Sequence, residues 1–186
     1  MRLRNTLILL TALVLLGAFV YFVEIRGQKA PPEEPPFMEF AIPDAARFRV
    51  ETREGLRMVS TRRGKGSEWE MEEPYQAEGD SARLEGALVR LSTVKPGRVL
   101  TETAVSFAPF GLDDPWLTVE VKLQDGSVHS LEVGDQTPDQ ASYYARRDGE
   151  RAVLLMESAT VAQLKGLISA PPEKPTPVPT PVPAEK

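Results

Sequence analysis

An uninterrupted apolar segment near the N-terminus constrains this chain more than any other feature of its sequence. Residues 7–23 carry no charge. An α-helix rises about 1.5 Å per residue, so a segment of this length nearly crosses a hydrocarbon core of roughly 30 Å. Arg2 and Arg4 precede the segment, and Tyr21 and Phe22 lie where interfacial aromatic residues are common. The segment therefore predicts a transmembrane helix whose N-terminus is cytoplasmic and whose following domain lies outside the cytoplasm.

A cleaved secretory signal peptide is the alternative interpretation of the same segment. The residues that follow it, Glu24 to Lys29, remain charged and lack the small-x-small site that cleavage requires. This favours an uncleaved anchor in the plasma membrane. A secreted soluble protein is the other outcome, and sequencing the mature N-terminus distinguishes the two. Both interpretations place the domain outside the cytoplasm.

The composition of the two ends divides the chain into four parts. Residues 1–26 are predicted to form the cytoplasmic N-terminus and the transmembrane anchor, and residues 27–36 a stiff proline-rich spacer. Residues 170–186 repeat a Thr-Pro-Val-Pro unit and predict a disordered tail of polyproline II character. The simpler interpretation of the tail is a disordered end; the functional one is a spacer or a ligand for an aromatic groove. Residues 37–169 remain for one folded domain.

Composition also excludes several kinds of site. The chain has no cysteine, which excludes disulfides, thiolate metal sites, cysteine nucleophiles and lipid attachment through cysteine. It has 22 Lys and Arg against 27 Asp and Glu, and two of the basic residues precede the anchor. Such a domain is repelled by phosphate backbones, so nucleic acid is not expected as a partner. Its one histidine, His129, leaves a single place for the commonest general base.

Hydrophobic periodicity predicts two units of similar plan between the ends. In the first unit, apolar residues alternate with charged ones from Arg47 to Arg53, which is typical of a half-buried strand. Asp80 precedes leucines at helical spacing and predicts a helix N-cap. The predicted elements are strands around residues 47–53, 56–58 and 69–71, a helix from Asp80 to just before Pro96, and a closing strand over 98–102.

The second unit contains the clearest hairpin of the chain, with strict alternation over residues 117–123 before Asp125-Gly126. A two-residue loop would set Val119 opposite Glu132 and place a charge on the apolar face. A three-residue loop over 124–126, with its glycine left-handed, avoids this and is the register that we predict. Its pairs are Leu117 with Val133, Val119 with Leu131, and Val121 with His129.

The rest of the second unit repeats the plan of strands followed by a helix. A further hairpin is predicted over residues 142–147 and 152–156, and then a helix from Glu157 or Ser158. Val161, Leu164 and Ile168 are expected on the buried face of that helix. The predicted fold class is therefore α+β: a mainly antiparallel sheet of two β-β-β-α-like units, with helices over one face.

Two sets of residues carry a resemblance to a known family. They are Trp69, Pro74 and Asp80 in the first unit, and Phe110, Gly111, Leu112, Asp113 and Pro115 followed by Val133-Gly134 in the second. Their order and spacing resemble the DUF4340 family of uncharacterised proteins over about residues 45–168. Seven of them are candidate motif or interaction residues: Trp69, Pro74, Asp80, Gly111, Leu112, Asp113 and Pro115.

The resemblance implies a membrane-anchored envelope protein. Some members of the family are linked to an ABC-type transporter of the gliding-motility or auxiliary transport kind, so the resemblance implies such a link here as a possible role. It implies no catalytic residues, no metal and no cofactor.

Candidate catalytic groups have simpler structural interpretations. Asp113-Asp114 and Glu72-Glu73 are adjacent carboxylates, whereas a glycosidase needs two carboxylates that face each other. Asp114-Pro115 is better interpreted as a turn whose side chain caps backbone amides. His129 would need a nucleophile and an orienting acid, and its neighbouring serines are close only in sequence, so we expect a partly buried sheet histidine.

Two further features could contact ligands. Trp69 and Trp116 could stack on a glycan, but we expect core or lid residues where a small sheet meets its helix. The basic segment Arg62 to Gly66 could contact anionic lipid or an acidic partner, but we expect a solvated hairpin loop. It lacks the spacing of a phosphate-binding loop.

The expected function is a membrane-tethered extracytoplasmic interaction or scaffold module. The partners expected for it are membrane-protein or transporter subunits, and we do not expect it to be an enzyme. The alternative is an envelope hydrolase or glycan-binding protein that uses Trp69, Trp116 and the acidic turns.

Overall fold

A computed structural model describes residues 34–101, 103–147 and 149–175, together with Leu13, Leu16, Gly17 and Phe19. These four isolated residues are helical and exposed. The rest of the predicted anchor, the spacer before residue 34 and the tail after residue 175 lie outside the described residues. Within the part that is described, no helix is long and apolar enough to span a bilayer. The chain divides into two compact units, residues 1–34 and 35–186, and the fold below is that of the second.

Across its described residues, this unit is built on one nine-stranded sheet. The strands are β1 Ala45–Thr52, β2 Arg57–Thr61, β3 Glu70–Glu73, β4 Ala77–Glu78, β5 Arg98–Thr101, β6 Leu117–Leu123, β7 Val128–Gln136, β8 Ser142–Arg147 and β9 Val153–Glu157. The helices are α1 Ser81–Thr93 and α2 Ser158–Ser169, with short 3-10 turns over Ile42–Asp44 and Ala108–Phe110. The fold class is α+β, as predicted.

The two predicted units share one sheet rather than forming two. The strand order is β4-β3-β2-β1-β6-β7-β8-β9-β5, and each neighbouring pair is antiparallel. The units join where β1 pairs with β6, and β5 lies beside β9 at the far edge instead of closing the first unit. Periodicity identifies a strand but not its neighbour, so this exchange of β5 was not visible in the sequence.

The central hairpin has the predicted register. Leu117 pairs with Val133, Val119 with Leu131, and Val121 with His129. Gly126 has a φ of 90°, and the amide of Leu123 donates to the carbonyl of Ser127 at 2.8 Å. The left-handed glycine permits the three-residue loop, and this loop keeps Leu117, Val119, Val121, Leu131 and Val133 on one face, whereas Val128, opposite Lys122, lies on the other.

Both helices cover the same apolar face of the sheet. The Asp80 carboxylate accepts a hydrogen bond from the amide of Arg83 at 3.2 Å, which confirms the predicted N-cap of α1. The buried apolar residues of the helices are Leu84, Ala87, Leu88 and Leu91 in α1, and Val161, Leu164 and Leu167 in α2. Ile168, expected on the buried face, is only partly buried and packs at the margin of the core.

The opposite face of the sheet carries charged cross-strand pairs. Arg49 lies opposite Glu120, and the guanidinium of Arg146 donates to Glu132 through Nε at 2.7 Å. A smaller apolar cluster of Ala104, Leu112 and Val153 packs there with Phe107, Phe110 and Tyr144. The segment between β5 and β6 therefore covers part of this face.

The first part of the predicted tail is bound to the domain. The carbonyl of Pro172 accepts from the amide of Asp80 at 2.7 Å, and the amide of Lys174 donates to Glu78 at 2.9 Å. The guanidinium of Arg83 donates to two further carbonyls of this segment. We call residues 170–174 the C-terminal strap. Residues 170–174 are therefore not part of a disordered tail as predicted, because their backbone groups find partners on Asp80, Arg83 and β4.

Candidate functional site

The first set of motif residues has structural roles. Trp69 is 1% exposed and belongs to the main core. The amide of Gly79 donates to its carbonyl at 2.8 Å, and a Cβ added to Gly79 would lie 3.1 Å from the Trp69 Cβ. Pro74 follows a cis peptide bond after β3, and Asp80 caps α1. Trp69 is thus the core residue that we expected and offers no face to a ligand.

Arg62 holds this region together, which sequence reasoning missed. Its side chain is 2% exposed, and Nε donates to the carbonyl of Ala45 at 2.6 Å. It also donates to the carbonyl of Ile42 and to Glu85, and its guanidinium lies 4.8 Å from the centroid of the Trp69 ring. Burial lowers the pKa of Arg62, and the charge of Glu85 opposes this shift.

The prediction of a solvated loop is therefore wrong for Arg62. Its neighbour Arg63 has a side chain that is 89% exposed, in keeping with that prediction. The two residues differ because Arg62 finds backbone carbonyls and an aromatic face that only the folded chain brings together. The sequence contains two adjacent arginines, and no local pattern indicates which of them is buried.

The second set of motif residues forms a loop that lies directly on β7. Gly111 ends the 3-10 turn with a φ of 67°, and a Cβ there would lie 2.5 Å from the carboxyl carbon of Asp135. A Cβ on Gly134 would overlap the carbonyl oxygen of Phe110. The glycine of the Gly-Leu-Asp motif and the glycine of the later Val-Gly pair therefore lie at the same backbone contact. Only glycine, which has no Cβ, lets the two backbones approach this closely.

The remaining residues of this loop contact the smaller apolar cluster and the residue that follows β1. Leu112 is buried in the smaller apolar cluster, whereas Asp113 is exposed and Pro115 partly buried. Asp114 forms an ion pair with Arg53, Nε to Oδ2, at 3.0 Å. The adjacent carboxylates Asp113 and Asp114 therefore belong to a surface turn that is fixed to the end of β1.

This loop positions Trp116 beside an open cavity, which we call the Trp116 groove. The groove has a volume of about 400 Å³. It lies between the turn after β1, the residue before β6 and the C-terminal half of α2. Its lining residues are Thr52, Arg53, Glu54, Leu56, Trp116, Lys165, Ile168 and Ser169. The amide of Arg53 donates to the carbonyl of Trp116 at 2.9 Å, which joins two of these elements.

The chemistry of the groove is apolar at its floor and cationic at its rim. Leu56 is 57% exposed, and Ile168 is partly buried. Lys165 places its ammonium 5.4 Å from the centroid of the Trp116 ring, and the Tyr143 ring lies 5.7 Å from the same ring. The indole N–H of Trp116 is buried and has no hydrogen-bond partner among the described residues, so it does not face the groove as a donor. Such a surface suits an extended ligand with apolar side chains and free carbonyls.

His129 lies at a separate and more polar cavity of about 280 Å³. Ser130, Arg147 and Glu150 also line this cavity, and the Phe40 ring lies 6.0 Å from the imidazole. The hydroxyl of Ser127 donates to Asp125 at 2.6 Å, which lowers the pKa of that carboxyl. Ser127 is thus engaged in its own turn. His129 is the partly buried sheet residue that we expected.

The other carboxylate pairs form surface ion pairs. Glu72 pairs with Arg47 at 3.2 Å, and Glu73 pairs with Arg57 and raises its pKa through this hydrogen bond. Over residues 34–101, 103–147 and 149–175, no three His, Asp or Glu side chains come together in a way that could hold a metal ion.

Comparison with known proteins gives one match. A family model described as a domain of unknown function, DUF4340, matches residues 69–169, which is more than half of the chain. The match begins at Trp69, later than the resemblance at about residue 45, and includes both sets of motif residues. Neither the curated proteins nor the solved structures contain a match to this chain.

Proposed function

We propose that this chain, which belongs to the DUF4340 family, is a membrane-tethered extracytoplasmic interaction module that binds its partner through the Trp116 groove. The apolar segment of residues 7–23 and the basic residues before it support the tether and its orientation. The described residues within that segment, Leu13, Leu16, Gly17 and Phe19, are helical and exposed, as lipid contact requires.

The single observation that carries the proposal is the open groove itself. Leu56 and Trp116 line a groove of about 400 Å³, and Leu56 is 57% exposed. Burial of apolar area favours a complex, and the loss of translational and rotational freedom on binding offsets part of this gain. Lys165 adds a hydrogen-bond donor at the rim, whereas Arg53 is paired with Asp114. The groove therefore favours binding of an extended apolar peptide segment.

The tether defines which partners the module can reach. Two proteins held in one membrane meet at a high effective concentration, so a modest groove suffices for association. The family resemblance favours subunits of an ABC-type transporter or another envelope complex as the partner.

Crosslinking in intact membranes tests the proposal. A photocrosslinking amino acid replaces Leu56 in the full chain, and the matched control replaces Leu100, which is 41% exposed on β5. We expect the position 56 probe to yield a discrete product with an envelope protein, and the I168E substitution to abolish it. Identical products from positions 56 and 100 would contradict the groove as the contact surface.

Placement of the module is tested separately in spheroplasts. External protease should digest the domain while the N-terminal fragment stays with the membrane. A domain that is protected in intact spheroplasts would overturn the extracytoplasmic placement.

Glycan binding at the same groove is the second candidate function. The observation that favours it is the indole of Trp116 beside the polar side chains of Thr52, Glu54 and Ser169, since sugars stack on aromatic rings and bond to such groups. Retention on cell-wall polysaccharide that disappears in W116A would favour this candidate. Joint replacement of Asp113, Asp114 and His129 tests a hydrolase: activity lost with folding retained would favour the enzyme.

A further inference from the structure

We propose that the free edge of β5 pairs with β5 of a second copy of this chain, antiparallel and about a two-fold axis at Leu100, so that two sheets join into one. In this register, Arg98 of each copy lies opposite Glu102 of the other. Glu102 follows β5 in the sequence and lies outside the described residues, so its place opposite Arg98 comes from the register alone.

The two outer strands of the sheet, β4 and β5, differ in what lies beside them. At β4, the amide of Lys174 in the C-terminal strap donates to the carbonyl of Glu78 at 2.9 Å, and Glu173 pairs with Gly79. β5 pairs with β9 on one side and, among the described residues, with no strand on the other. A free edge presents unpaired amides and carbonyls to another strand. Because only one edge is free, pairing between copies closes at two.

The exposed side chains of β5 lie on one face of the strand. Arg98 and Leu100 are exposed, Leu100 to 41%, whereas Val99 and Thr101 are partly buried. Leu100 has no partner on β9, because the register shifts by one residue between Val99 and Thr101. Edges that are protected against pairing often carry a charge or a proline, and this position carries leucine. An apolar side chain without a cross-strand partner therefore lies at the free edge.

The sequence of this edge is complementary to itself when one copy is reversed. From Arg98 to Glu102 the chain runs Arg-Val-Leu-Thr-Glu. With Leu100 opposite its own copy, an antiparallel pair sets a positive residue opposite a negative one at each end. Cross-strand pairs of opposite charge stabilise such a ladder. A register shifted by one residue either way would set both charges opposite uncharged residues, so the two-fold axis at Leu100 is favoured.

The tether makes a small interface sufficient. Two five-residue strands bury little surface, but on the proposed function both copies are held in one membrane and meet at a high effective concentration. Pairing through β5 thus rests on the proposed tether and not on the Trp116 groove, which other elements line. A dimer carries two grooves, so a partner with two docking segments would bind it more tightly than it binds one copy.

Disulfide trapping tests the position of the two-fold axis, because the chain has no cysteine of its own. Opposite residues of antiparallel strands have Cα atoms about 4.5–5.5 Å apart, which is within the range that a disulfide spans. We expect the full-length L100C chain, oxidised in membranes, to form a covalent dimer. The matched control, V128C, replaces a residue of similar exposure, 48%, on β7. Equal dimer yields from L100C and V128C would overturn the pairing.

Charge reversal tests the register. R98E and E102R should each raise the dissociation constant of the dimer roughly fivefold to thirtyfold, because two cross-strand pairs become repulsive. An equal mixture of the two variants should restore pairing, since each copy then supplies the charge that the other needs. Energy transfer between labelled copies in liposomes measures both effects. The control R63E, at a side chain that is 89% exposed on a different loop, should change neither.

Two results would contradict the proposed dimer. Failure of the R98E and E102R mixture to recover energy transfer would overturn the register. A crosslink from position 100 to a different envelope protein, in place of a second copy, would overturn the choice of partner. Crosslinks from position 56 to an envelope protein would remain after either result, and protease treatment of spheroplasts tests the tether by itself. The proposed function is therefore judged separately.

Discussion

The regions around Trp69 and Trp116 both contain an indole with a cation over its ring, but only the Trp69 region is covered by other chain segments. In each, the indole N–H has no hydrogen-bond partner among the described residues, and a cation lies over the ring, Arg62 at 4.8 Å and Lys165 at 5.4 Å. The first region is sealed: Arg62 donates to the carbonyls of Ile42 and Ala45, and the C-terminal strap pairs with Gly79 beside Trp69. The second region remains an open groove.

The comparison shows that residue type does not decide whether an aromatic residue is structural or available. A tryptophan under a cation becomes core when other chain segments cover it, and becomes a binding surface when they do not. Variants of the two regions should therefore differ in stability and hydrogen exchange.

Removing each indole should separate the two regions most clearly. W69A should lower the free energy of unfolding by about 3–5 kcal/mol, because a large buried side chain leaves a cavity. W116A should lower the free energy of unfolding by about 1–2 kcal/mol, since the Trp116 side chain is only partly buried and borders a groove. Urea unfolding of the full chain measures both. Equal costs would mean that the Trp116 region is as closed as the Trp69 region.

Removing the cation that seals the first region should also be costly. R62M leaves the carbonyls of Ala45 and Ile42 without their buried donor, at about 1–3 kcal/mol for each group. The adjacent control, R63M, should change stability by less than about 0.5 kcal/mol because its side chain is solvated. Similar losses for the two variants would show that Arg62 does not hold the region closed.

The support of the second region can be weakened without touching its tryptophan. G134A should destabilise the domain by about 1–3 kcal/mol, because the new methyl group overlaps the loop that carries Trp116. Hydrogen exchange should rise most in residues 107–116. The control, G86A, lies in α1 where an added Cβ meets nothing within 4 Å, and should stabilise the helix by about 0.5–1 kcal/mol. A uniform rise in hydrogen exchange after G134A would contradict the idea that Gly134 specifically supports the loop that carries Trp116.

Alkaline pH should loosen only the sealed region. The hydrogen bond to Glu173 raises the pKa of Tyr75, and the contacts with Glu78 and Glu68 raise the pKa of Lys174. Groups with a raised folded-state pKa contribute stability that is complete below their unfolded pKa and is lost as the pH rises through the folded one. The strap should therefore hold at neutral pH and loosen above about pH 10. Tyrosinate absorbance, taken as the difference from Y75F, measures this; a Tyr75 titration at the ordinary tyrosine pKa would contradict it.

Local patterns were enough to predict most elements. The alternation of apolar and polar residues and the turn residues predicted each residue pair of the β6–β7 hairpin correctly. A register shifted by one residue would point the Glu132 side chain into the core. Asp80 marked the start of α1 because its side chain serves the backbone of the next turn. The two-residue strand β4 was missed, because a strand of this length shows no period.

The candidate site was predicted only in part. Gly111 and Gly134 were marked by the family resemblance, but their contact depends on two backbones about twenty residues apart in the chain. Trp116 was singled out without its groove, because Leu56 and Ile168 reach it from separate elements. Arg62 was assigned to solvent because its backbone acceptors, the carbonyls of Ile42 and Ala45, lie 20 and 17 residues earlier in the chain.

Local patterns predicted the two helices with the Asp80 cap and the register of the central hairpin, because these features depend on residues that are close in the chain. The succession of these elements predicted the α+β class, and the order and spacing of the motif residues predicted the family. The tertiary structure alone decided that β5 lies beside β9, that Arg62 is buried and Arg63 is not, and that Trp69 is closed while Trp116 borders a groove. The physical reason is that burial depends on which distant segments cover a side chain, and no local pattern encodes that.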